Sequence, residues 1–154
     1  MRAEWINPFV TSTQDVFTTM LSFELIRGPL SVKKDPQPEL EISGVIGLTG
    51  RAAGVVVVSL SRGVALHAAE TMLGSRHEEV DADVIDAVGE LANMIAGGAK
   101  RQLEELDMSV SLPSVICGTN HRVQFPSHTT PIAIPFEAES GPICISVGLS
   151  EVTK

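Results

Sequence analysis

Cysteine is scarce: of 154 residues only Cys117 and Cys144 are thiols, far apart in apolar, strand-like surroundings and without CxxC spacing. With no charged n-region and apolar h-region at the start, this predicts a cytoplasmic protein with two buried thiols. Long apolar runs are also missing. The longest, Ala52–Leu60, is well short of the roughly 20 residues that span a bilayer, so a membrane helix is excluded. Positive charge is thin, with eleven basic against nineteen acidic residues and a net charge of −8, so a nucleic-acid backbone or an anionic membrane surface would repel the chain. His67, His77, His121 and His128 form no HExxH motif and no i, i+4 pair, and no metal site is expected. There is no GxSxG, and Gly44, Gly47 and Gly50 form neither GxGxxG nor a phosphate loop.

What is present is one long helical pattern, Asp83–Leu106. At 100° per residue Val84, Val88, Leu91, Ile95, Ala99 and Leu106 fall on one apolar stripe, the expected buried face. Opposite lie Asp86, Glu90, Asn93, Gly97, Lys100 and Glu104. Asn93 is a mediocre helix former, and Gly97 with Gly98 gives up roughly 2 kcal/mol of helix propensity relative to alanine. Close approach of a partner at the glycines, with Glu90 and Asn93 one turn away to meet it, would offset that loss.

Around this helix the chain reads as a single domain over 1–154, long enough to bury about 68–70% of the surface its unfolded form exposes. Asn7-Pro8 predicts the start of a first helix over Pro8–Phe23, and Gly28-Pro29 its end. Leu30–Val32 is a possible strand and Lys33–Pro38 a polar loop. Leu40–Leu48 and Gly54–Leu60 form a predicted hairpin, with the unalternated Val55–Val58 in a central strand covered on both faces. Ser61 caps a helix over Arg62–Leu73 that Gly74 ends. Beyond the long helix, Val110–Cys117, Arg122–Phe125, Thr130–Glu137 and Ile143–Leu149 read as strands. The expected fold class is α+β, helices packed on a largely antiparallel sheet. Overlaying Phe17–Met20 on Leu91–Met94 hints at an internal repeat, with Ser12, Val16 and Thr19 where Asp86, Glu90 and Asn93 stand.

Glu90 and Asn93, at i and i+3, present both side chains to the same patch of a partner. A carboxamide donates and accepts without charge, which suits aiming a water molecule, while a carboxylate suits a lysine on the partner. Neither is a nucleophile, so the chemistry they fit is water positioning in a reaction whose main machinery lies elsewhere. The bland alternative is a solvent-facing helix that carries a Glu and an Asn by chance.

Glu90–Lys100, ELANMIAGGAK, with Asp86 one turn before, resembles the signature helix of the CheC/CheX family of chemotaxis phosphatases, E-x-x-N followed by small residues. Ile6–Met20 is similar to that family's first helix and Gly54–Gly74 to its strand and second helix. A single E-x-x-N motif is closer to CheX than to two-site CheC. Pro113 stands somewhat nearer to Asn93 than the proline of the family pattern does. The resemblance implies a CheC-like fold and a phosphatase acting on the aspartyl phosphate of a CheY-like response regulator. In it Asn93 orients the attacking water, Glu90 pairs with the regulator's lysine, and Asp86, Gly97, Gly98 and Lys100 contact the regulator. It also implies a homodimer, no cofactor held by this chain, and Mg²⁺ in the regulator. A non-catalytic docking module of the same fold, as in the flagellar switch, is the rival reading.

Overall fold

The computed structural model describes residues 2–33 and 38–152. In chain order it has helix α1 (Ala3–Asp15), a π-helical turn (Val16–Met20), strands β1 (Ile26–Arg27), β2 (Ser31–Val32), β3 (Ile42–Thr49) and β4 (Ala52–Leu60), and helices α2 (Arg62–Leu73) and α3 (Ala82–Gln102). A 3₁₀ turn (Glu104–Leu106) and strands β5 (Ser109–Val110), β6 (Ser114–Cys117), β7 (Ile132–Ala138) and β8 (Gly141–Glu151) complete it.

The sheet runs β1-β7-β8-β4-β3-β5, with β2 also on β7 and β6 also on β3. Every pairing is antiparallel. Strand β4 lies between β3 and β8, which accounts for the unbroken valine run. Val56 and Val58 join Ile46, Ile145 and Val147 in the apolar cluster under the helices, and Val57 is buried on the opposite face. The register sets those residues side by side, Val56 opposite Val147 and Ile46 opposite Val56. Helix α3 crosses β3 where Ala92 presses on Gly44. It buries Val84, Val88, Leu91 and Ile95, each worth about 1.5–3 kcal/mol, more than enough to offset its glycines.

Several expectations change. Helix α1 starts at Ala3, with Pro8 inside it and Asn7 exposed, because Trp5 and Ile6 are buried and hold the preceding turn. The helix does not reach Phe23. It loosens into the π turn and stops at Met20, and Ser22 turns left-handed at φ 58°. Gly28-Pro29 therefore joins β1 to β2. Helix α3 ends at Gln102 and Leu106 is carried by the 3₁₀ turn. Val110–Cys117 is split by Ser111-Leu112-Pro113 into two short strands on the same neighbour, β3. Arg122–Phe125 is not a strand: Phe125 lies against Gly148 on the far face of the sheet. Most of the Lys33–Pro38 loop lies outside the described residues. Of the two thiols, Cys144 is half-buried but Cys117 is exposed. Burial raises both thiol pKa values above the ordinary range, so neither is an activated nucleophile.

Candidate functional site

Helix α3 begins with a strong cap. Asp81 Oδ1 accepts from the Val84 N–H at 3.0 Å, and Asp81 Oδ2 lies 2.7 Å from His77 Nδ1. The His77 bond first, and the Val84 N–H second, hold the Asp81 carboxyl below its ordinary value. Asp83 lies close enough that His77, Asp81 and Asp83 together have metal-ligand spacing. The cap already uses both Asp81 oxygens, so the cluster is explained without an ion.

From that start the helix shows solvent the expected stripe. Asp86, Glu90, Asn93 and Lys100 are exposed and Gly97 is half-exposed. The ion pairs among the described residues lie elsewhere: Arg2 with Glu4 and Glu151, Lys33 with Glu39, Arg62 with Glu79, and His77 with Asp81. Glu90 is thus spoken for by no cation, and the motif stands outward on a rigid helix.

Two glycines explain how the stripe is flanked. A Cβ on Gly89 would lie 3.4 Å from Pro113 Cγ, so the Ser111–Pro113 connection closes on one side of α3. That connection is fastened by the Gly47 N–H donating to Ser111 Oγ at 2.8 Å and the Ser111 N–H donating to the Gly47 carbonyl at 2.9 Å. On the other flank a Cβ on Gly98 would collide with the Ser12 hydroxyl of α1. Ser12 is buried and donates to the Ile95 carbonyl at 2.6 Å, tying the two helices together.

At Gly98 a close neighbour, Ser12, belongs to this chain and accounts for the missing side chain. Gly97 faces outward, with only Arg101 near it. The α1 counterpart of the motif offers no second site, since Ser12 and Val16 are buried and only Thr19 is exposed. Pro113 packs against Gly89, the residue before Glu90. Its signal was a proline inside the run read as the single strand Val110–Cys117, but nothing in its position along the chain says which helix it meets.

A ridge carrying Glu90 and Asn93 side by side can enter a cleft on another protein and hold a water there, which is the chemistry of the E-x-x-N pattern. Residues 42–137 match the family model of chemotaxis phosphatase CheX. This chain belongs to the CheX family. As a member it is a phosphatase. Over 127 residues it is 28% identical to the CheY-P phosphatase CheX of Thermotoga maritima, covering 80% of this chain and 82% of that one. The fold superimposes on the crystal structure of chemotaxis protein CheX from Vibrio vulnificus with a TM-score of 0.89 and 34% identity, over 96% of this chain and 100% of that one. It also superimposes, at a TM-score of 0.82 and 22% identity over 97% of this chain and 100% of that one, on the CheX of a CheX–CheY–BeF₃–Mg²⁺ complex from Borrelia burgdorferi. At that identity the second likeness speaks for the CheX fold alone.

Proposed function

We propose that this CheX-family chain accelerates hydrolysis of the aspartyl phosphate of a CheY-like response regulator, with Asn93 orienting the attacking water and Glu90 pairing with the lysine of the regulator's phosphate site. The observation that carries this reading is the outward pair Glu90 and Asn93, one turn apart on a capped helix, with Glu90 in none of the ion pairs among the described residues. The Thermotoga relative is a CheY-P phosphatase, and the Borrelia complex holds CheX against CheY with BeF₃, a mimic of the phosphoryl group. The first supports the choice of partner, and the second adds only that a CheX of this fold occurs in a complex with CheY.

In this reading the Asn93 amide oxygen accepts a hydrogen bond from a water lined up with phosphorus. The water oxygen forms the new P–O bond, the bond from phosphorus to the aspartyl oxygen breaks, and the regulator regains its carboxylate as inorganic phosphate leaves. Mg²⁺ belongs to the regulator's acidic pocket and neutralises phosphoryl charge there. Asp86, Gly97 and Lys100 extend the contact along the ridge. Gly98 contributes indirectly by letting α1 support it. We place the reaction in the cytoplasm and the chain in a homodimer.

Phosphate decay from a CheY-like regulator, followed with catalytic amounts of this protein and of Asn93→Ala, tests the assignment. Wild type should shorten the lifetime, and the variant should lose about 10²–10³ of the acceleration, the scale of one preorganised hydrogen bond, with an unchanged melting temperature. No acceleration by wild type despite demonstrated binding would instead favour a docking module.

A further inference from the structure

Beside Lys100, a second cation at the end of the ridge, Arg101, has no role so far. Arg101 follows Asn93 by just over two helical turns, and a helical side chain leans back toward the N-terminus over the preceding turn. Its guanidinium does so here: Nη1 is 3.9 Å from the position of a Cβ on Gly97, and Nη2 is 3.7 Å from that on Gly98. It thus lies beside the bare glycine pair, at van der Waals distance from both positions. None of the ion pairs among the described residues includes Arg101. Asp15 shares with it a shallow groove of about 200 Å³ between α1 and α3, beyond ion-pairing distance.

We propose that Arg101 is a docking residue that pairs with carboxylates on the rim of the partner's phosphorylation pocket and does not touch the phosphoryl group. The inference rests on the proposed function, because it needs Asn93 in that pocket. Eight residues of helix rise about 12 Å, and leaning back one turn leaves the guanidinium ~7 Å along the axis from Asn93. That is too far to reach an oxygen on the phosphorus whose water Asn93 aims. It suits the acidic surface that a metal-binding phosphorylation site must carry around it. On a chain of net charge −8, a local cation is needed to keep that acidic rim from repelling the ridge. The two glycines then have separate uses: Gly98 seats Ser12, and Gly97 keeps the surface low enough for a partner to reach the guanidinium.

The test is the affinity of wild type, Arg101→Gln and Arg101→Lys for a CheY-like regulator activated with beryllofluoride and Mg²⁺, measured across a salt series, together with steady-state dephosphorylation. Arg101→Gln should raise Kd and KM about 10-fold, leave kcat unchanged and flatten the salt dependence. Arg101→Lys, which keeps the charge, should recover most of the affinity. Unchanged Kd and salt slope in Arg101→Gln would overturn the proposal, as would a fall in kcat with KM intact, which would place the guanidinium on the phosphoryl group. Equal weakening in both variants would also overturn it, since a merely structural side chain ignores charge. If wild type itself does not bind the activated regulator, the functional assignment fails, a result distinguishable from failure of Arg101 alone.

Discussion

At the residue scale, the two glycines of the signature turn have opposite sensitivities. Gly98 has the Ser12 side chain against it, with Ser12 Cβ only 3.2 Å from where its own Cβ would stand, whereas Gly97 has open space apart from Arg101. Gly98→Leu should therefore destabilise the fold by about 1–3 kcal/mol, the cost of overpacking, and lower the midpoint of chemical denaturation. Gly97→Leu should keep that midpoint and instead weaken binding of the activated regulator. Glu90→Ala should likewise raise Kd and KM with little change in kcat, separating it from Asn93→Ala in the same steady-state assay. The pairing of Glu90 with Asn93 was legible from spacing. The division of labour between adjacent glycines was not, because a sequence marks a close approach without saying whether the neighbour is another molecule or the chain's own α1.

At the element scale, α3 depends on its first turn. The Asp81 carboxyl, lowered by His77 and the Val84 N–H, favours folding in its charged form. A depressed carboxylate gives a contribution fully present above the unfolded value, near 3.8, and lost as pH falls through the lower folded value. Denaturation of Asp81→Ala against wild type should show wild type ahead at neutral pH, with the gap closing only below the ordinary aspartate range. A gap independent of pH down to strong acid would contradict the cap. The buried stripe from Val84 to Ala99 and the β3–β4 hairpin were legible, since each is a local pattern of spacing. The start of α1 was not. Pro8 resembles a first-turn proline, but burial of Trp5 and Ile6 outweighs its lost hydrogen bond and carries the helix one turn further back. Phe125 failed for a related reason: it covers the sheet from a loop, and an apolar residue in a short run looks the same either way.

On the scale of the whole molecule, the sheet decides where a second copy can add. One edge carries β5 and β6 beside β3, and at the other the outer side of β7 carries β1 and β2. Those two short strands and the turn between them show solvent Ile26, Leu30 and Val32, 74%, 40% and 51% exposed, an apolar margin. We propose this margin as the contact of the homodimer. In sedimentation equilibrium, Ile26→Lys with Val32→Lys should shift the protein toward monomer while its monomeric melting behaviour is retained. A wild type that stays monomeric at high concentration would remove the dimer.

The flanking of α3 by Pro113 and Ser12 has a last consequence. Between those walls the motif rises as a crest, so on the proposed function the concave half of the catalytic centre, with its metal and its acyl phosphate, arrives on the other protein. A crest is no socket for a lone metabolite. Acetyl phosphate or an aryl phosphate ester offered by itself should pass unhydrolysed, inorganic phosphate should not inhibit, and selectivity should reside wholly in which regulators possess a cleft that the crest can enter.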